Sequence, residues 1–99
     1  MTWYLKYLKD LAPAMALDRA TASLKDARNA KDQRHALKFC NQAKESLKRI
    51  HISSASPLDL NHIIAKYREH GAVLEKWGFS TEAQHSYSKV EELRYSKRV

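Results

Sequence analysis

Five histidines and one cysteine are the residues of this 99-residue chain best equipped for metal binding or catalysis. His35, His51, His62, His70 and His85 never stand four apart, so none forms the one-turn pair that a helical zinc site uses. Cys40 has no second cysteine with which to build a ligand pair or an internal disulfide. It falls on an apolar stripe, where a thiol is a small hydrophobe rather than a nucleophile. The acids and histidines are scattered on solvent faces, without a pocket signature for paired acid–base work. The expectation is no catalytic residue, no metal and no cofactor.

What remains is charge. The net charge is +7, and it is uneven. Residues 1–50 hold eleven Lys and Arg against five Asp and Glu, while residues 51–99 hold seven against six. An excess of cations in one half points to an anionic partner. Lys31, Arg34, Lys38, Lys44, Lys48 and Arg49 form one cluster, with Arg34 and Lys38 one helical turn apart and Lys44 and Lys48 likewise. Phosphate contacts need little beyond such residues, so a basic bundle that binds nucleic acid without sequence preference is the second reading. No aromatic is interleaved on that face for base stacking, and no nucleic-acid motif is present.

These side chains must be carried by helices. Hydrophobic residues at 43% and charged residues at 29% suit a globular domain rather than a disordered chain. Two glycines, two prolines and many Ala, Leu, Lys and Glu favour helix throughout, and no strand-like alternation appears. Thr2 is placed to cap a first helix through Leu11, with Trp3, Leu5, Leu8 and Leu11 apolar. Pro13 suits the first turn of a second helix, whose stripe is Leu17, Ala20, Leu24 and Ala27. Asp32 is a capping residue for a third, with Ala36, Phe39, Cys40, Ala43, Leu47 and Ile50 on one side. Ser56, Pro57 and Asp59 spell the start of a fourth, with Leu60, Ile64, Tyr67, Gly71 and Leu74 in line. Gly78 supplies a left-handed stop. Ser80 or Thr81 is expected to cap a fifth, with Ala83, Tyr87 and Val90 facing inward. The fold class is all-α, an antiparallel helix-hairpin stack.

The spacing of Tyr67, Gly71, Leu74, Gly78, Ala83 and Tyr87 resembles a tetratricopeptide repeat, a helix–turn–helix unit of 34 residues. His70, where that family has leucine, and Val90, where it has alanine, depart from the pattern. A degenerate first copy lies 47 residues earlier: Ala20, Leu24 and Ala27 stand opposite Tyr67, Gly71 and Leu74. Ala36, Cys40 and Ala43 stand opposite Ala83, Tyr87 and Val90. The three-helix microtubule-interacting-and-trafficking type of domain shares this packing, but the extra helix counts against it. The tetratricopeptide resemblance implies that Gly71 and Ala83 face each other where two helices touch, so that one added methyl at Gly71 is tolerated and a leucine is not.

The resemblance also implies a function: a scaffold or adaptor module whose first helices line a groove for a partner's peptide or helix. Carried over by position, that groove shows Lys25, Arg28 and Asn29, then Arg68 and Lys76, with Asp18 and Glu69 beside them. Thr21 and Glu69 stand where the carboxylate-gripping version of the groove needs lysine and asparagine, so chaperone tails are not the expected ligand. The expected partner is a protein or an acidic peptide.

The domain plan is one unit: residues 1–12 as an N-terminal cap, 14–50 as the first helix pair and 57–98 as the second. Trp3, Tyr4 and Tyr7 with Lys6 and Lys9 also have the makings of a membrane-surface helix, although capping the open end of a two-repeat stack is the better use for ten residues. Self-association and continuation in a longer chain are the other ways to complete so short an array. No apolar run is long enough for a membrane span. The single cysteine fits a reducing compartment, so the expected location is cytoplasmic, with the nucleus open.

Overall fold

A computed structural model describes residues 12–97, which form four helices and one short 3-10 turn. The helices are α1 (Pro13–Arg28), α2 (Gln33–Lys48), α3 (Pro57–Lys76) and α4 (Ser80–Lys97), with the 3-10 turn at Ile52–Ser54. There is no strand among the described residues. The helix expected over residues 2–11, and with it the cap, lies outside them.

Local chemistry sets most of the boundaries. Ala12 is extended, as a residue before proline must be, and Pro13 opens α1. The Asp32 carboxylate accepts from the His35 N–H at 2.9 Å and starts α2. That bond, first of all, lowers the Asp32 pKa. Ser56 Oγ accepts from the Asp59 N–H at 3.1 Å and starts α3, again with proline in the first turn. Gly78 has φ of +87°, and two bonds close the turn around it: Gly78 N–H to the Glu75 carbonyl and Phe79 N–H to the Leu74 carbonyl, both 2.9 Å. This is the glycine-closed C-cap that a left-handed residue permits.

The start of α4 corrects the expected cap. Its first bond runs from the Ala83 N–H to the Phe79 carbonyl, so the helix begins at Ser80 and the residue before it is Phe79. Ser80 and Thr81 are inside the helix and do not cap it. Phe79 serves both bonds, ending one turn and opening the next, which leaves no residue over for a hydroxyl cap.

The helices pack as two antiparallel pairs, α1 with α2 and α3 with α4, and α3 also packs on α1 and α2. The molecule is flat, 38 × 37 × 19 Å. Its thin dimension is about two helix diameters. Buried positions repeat at the 47-residue offset: Ala20, Leu24 and Ala27 are buried, as are Tyr67, Gly71 and Leu74. Ala36, Cys40, Ala43, Ala83 and Val90 are buried too, while Tyr87 is half-buried. Because three helices contact α3, it buries more than one stripe, adding Ile63, His70 and Val73 to the expected set. On α4 the buried line includes Ser86 and Leu93.

Gly71 does not meet Ala83 first. A Cβ built at Gly71 would lie 2.6 Å from Cε1 of Tyr87 and 2.9 Å from its Cζ, so the ring of Tyr87 fills the space the missing side chain leaves.

Trp77, at the end of α3, fastens the second pair to the first. Its indole N–H donates to the Ala27 carbonyl at 3.0 Å, and its own carbonyl accepts from Gln33 Nε2 at 2.6 Å. Trp77→Phe keeps an aromatic ring, smaller by the pyrrole part of the indole, and removes the donor. We expect it to lower stability by at least about 0.5–1.5 kcal/mol in urea denaturation, the usual worth of one such bond, with the lost ring volume adding to it. An unchanged midpoint would mean that the indole N–H contributes nothing to joining the pairs.

Candidate interaction surfaces

The expected groove residues sit on the two helices that lie side by side. Lys25 and Arg28 are in the last turn of α1, and Asn29 is its C-cap, its backbone N–H bonded to the Lys25 carbonyl at 3.2 Å. Arg68 and Lys76 are on α3. All five are exposed. Arg28 is spent within the fold, however: its guanidinium meets a Glu69 carboxylate oxygen at 2.5 Å, and Lys66 holds the other oxygen at 2.7 Å. Partial burial works to raise the Glu69 pKa, but the hydrogen bonds from Lys66 and Arg28 outweigh it, and the carboxyl is held below its ordinary value. Lys25, Arg68 and Lys76 make no ion pair among the described residues. The structure thus separates one internal strut from three available cations.

The long basic cluster is divided by the fold. Lys31, Arg34 and Lys38 are exposed near the start of α2. Lys44 and Lys48 instead stand over a hollow between α2 and α4. Arg49 is half-buried and already engaged. No continuous cationic strip runs along α2.

That hollow lies where α2 and α4 both pack on α3. Its volume is about 210 Å3. Tyr67, His70 and Leu74 of α3 form the floor, and Lys44 and Lys48 face Lys89 and His85 of α4 across it. Tyr67 is only 5% exposed, and its pKa is pushed up to about 12 by burial and then by the charge of Glu92. Its hydroxyl donates to no described residue. No buried side-chain oxygen lacks a partner among the described residues, so this one opens to solvent.

The ring of His70 is hydrogen-bonded at both nitrogens. Nε2 lies 2.9 Å from the Cys40 carbonyl of α2, and Nδ1 is bonded to Ser86 Oγ of α4. A carbonyl only accepts, so Nε2 carries the proton and Nδ1 accepts from the serine hydroxyl. One imidazole therefore links three helices. Burial lowers its pKa, the Cys40 carbonyl pulls the other way, and Lys44 adds to the lowering, with the neutral ring favoured overall. A neutral imidazole accepting from serine is also how a serine nucleophile is activated. Here Ser86 is 5% exposed, and the first consequence of the pair is to satisfy two buried polar groups. Sequence reasoning missed this pair, although two polar residues at inward positions of adjacent helices were a signal.

Cys40 is fully buried and its thiol is pushed up to about 11 by burial, as befits a core residue. No group of three His, Cys, Asp or Glu is placed to hold a metal among the described residues. No helix among them is long and apolar enough to cross a membrane. Compared with family models, curated proteins and solved structures, the chain has no significant match.

Proposed function

We propose that this chain is a protein-interaction module of the scaffold or adaptor kind. It is built from two tetratricopeptide-like helix pairs, and it holds an acidic peptide or helix of a partner against α1 and α3. The observation that carries the reading is the side-by-side packing of α1 and α3 with Lys25, Arg68 and Lys76 exposed and unpaired. Arg28 serves by holding the two helices together through Glu69, and Asn29 offers a neutral polar contact at the end of α1. The repetition of buried positions at the 47-residue offset supports the two-unit description. The buried free thiol of Cys40 suits an intracellular setting.

The test is binding of a fluorescent acidic peptide at low salt, with the triple reversal Lys25→Glu, Arg68→Glu and Lys76→Glu. These are exposed positions, so the variant keeps its fold while affinity falls by roughly tenfold or more. Retained affinity removes this face as the site. Competition with a generic DNA duplex covers the nucleic-acid reading: duplex binding should vanish near physiological salt. Duplex binding that survives there, and is lost when Arg34 and Lys38 are reversed, replaces the proposal.

A further inference from the structure

The geometry points to a second binding site in the hollow between α2 and α4, which takes one large apolar side chain flanked by carboxylates on an acidic segment of a partner protein. It shares with the function proposed above the premise of an acidic polypeptide partner, but it uses different residues on different helices.

Size comes first. At about 210 Å3 the hollow falls below the range of about 300–1,000 Å3 usual for whole small-molecule ligands. It suits a single side chain of leucine or phenylalanine size. The floor is Leu74 and Tyr67, 1% and 5% exposed in all, and the lysines Lys44, Lys48 and Lys89 line the hollow with apolar methylene stems beneath their charged ends. The apolar surface of the incoming side chain, removed from water between those stems, is the source of affinity.

Charge comes second. Lys44 and Lys48 stand on one wall and Lys89 on the other, so a carboxylate on either side of the inserted group meets an ammonium. Lys44 makes no ion pair among the described residues. Lys48 is 4.0 Å from Glu45 and Lys89 is 3.4 Å from Glu92, both exposed pairs within one helix. Such pairs are weak and exchange readily for a better partner. Glu82 at the rim opposes an anion there. It thereby favours an orientation that places the acidic flanks by Lys44, Lys48 and Lys89.

The third observation is the Tyr67 hydroxyl. It belongs to a residue 5% exposed, lines the hollow and has no hydrogen bond within the described chain. The hydroxyl opens to solvent, and an incoming carboxylate or backbone carbonyl takes the place of water as its acceptor. His70 and Ser86, in contrast, already satisfy each other and add an apolar ring edge rather than a free polar group.

The experiment is a titration of the full chain, followed by amide and methyl NMR, with a short blocked peptide holding one phenylalanine between paired glutamates. A control peptide carries alanine in place of the phenylalanine. Saturable shifts of the Leu74 methyls and of residues beside Tyr67, present with phenylalanine and absent with alanine, are the expected result. Lys44→Glu with Lys89→Glu should weaken that binding at least tenfold at low salt, and Tyr67→Phe should weaken it a few-fold with an unchanged spectrum of the free protein. The triple reversal on α1 and α3 should leave these shifts in place. Shifts confined to Lys25, Arg68 and Lys76 would overturn the hollow as a site while leaving the proposed function standing. Equal shifts with both peptides would overturn it as well, because attraction without insertion needs no hollow. An absence of shifts anywhere would count against both.

Discussion

Gly71→Leu lowers stability by about 3 kcal/mol, the upper end of the usual cost of overpacking a filled interface. Already the first atom is too many: an added Cβ falls 2.6 Å from the Tyr87 ring. The ring is not free to swing away at no cost. The ring is half-buried, and its phenol is influenced first by the Glu75 carboxylate of α3 and then by burial, both of which raise its pKa, so displacing it from Gly71 gives up packing. Gly71→Ala is therefore destabilising too, by about 1 kcal/mol after the gain in helix propensity is counted. This revises the tolerance for one methyl that spacing alone suggests. The decisive measurement is a double-mutant cycle in urea. Once Tyr87→Ala has removed the ring, Gly71→Ala should become stabilising by roughly 0.5–1 kcal/mol, because propensity then acts without the clash. If Gly71→Ala is neutral with Tyr87 present and equally neutral without it, the ring is not what requires glycine.

The contrast between Gly71 and Gly78 marks how far sequence reading reaches. Gly78 closes a turn by its own backbone freedom, and that need is visible within a few residues. The same is true of Asp32, and of Ser56 with Pro57 and Asp59: each acts on backbone groups three or four positions away. Stripes at spacing three and four exposed the single buried faces of α1 and α2 for the same reason. What escaped depends on which helices become neighbours. Ile63, His70 and Val73 are buried because α3 is enclosed by three helices, a circumstance no window along α3 records. Trp77 reaches Ala27 across fifty residues, and Tyr87 rather than Ala83 settles over Gly71. The candidate surfaces divide in the same way. Lys25, Arg68 and Lys76 were legible as exposed cations. The commitment of Arg28 to Glu69, and the separation of Lys44 and Lys48 from Arg34 and Lys38, required the packing of helices far apart in the chain.

His70 carries the sharpest consequence of that packing. His70→Ala removes a buried ring that bonds to α2 and α4, leaves a cavity and frees the Ser86 hydroxyl, so a loss of about 2–4 kcal/mol is expected. His70→Leu behaves differently. It fills much of the space, Ser86 can turn its hydroxyl to the carbonyl one helical turn back, and the Cys40 carbonyl keeps its place in the helix ladder. That variant should stay within about 1.5 kcal/mol of the parent, as a near volume-conserving core exchange does. The two also separate by pH. The folded-state pKa of His70 is lowered, burial being the first cause, so the unfolded chain binds the proton more readily than the folded one. Its stabilising contribution is complete above the unfolded value of about 6.5. It is lost as pH falls from there through the lowered folded value. Glu69 and Asp32 also have lowered pKa values, but their contributions are lost only in the lower carboxylate range. Urea midpoints compared between neutral and mildly acidic pH, above that carboxylate range, therefore report chiefly on His70. The parent should weaken on mild acidification, and His70→Leu should not. A His70→Leu protein that keeps the full pH dependence of the parent would assign it to another group and leave the imidazole as a packing element alone.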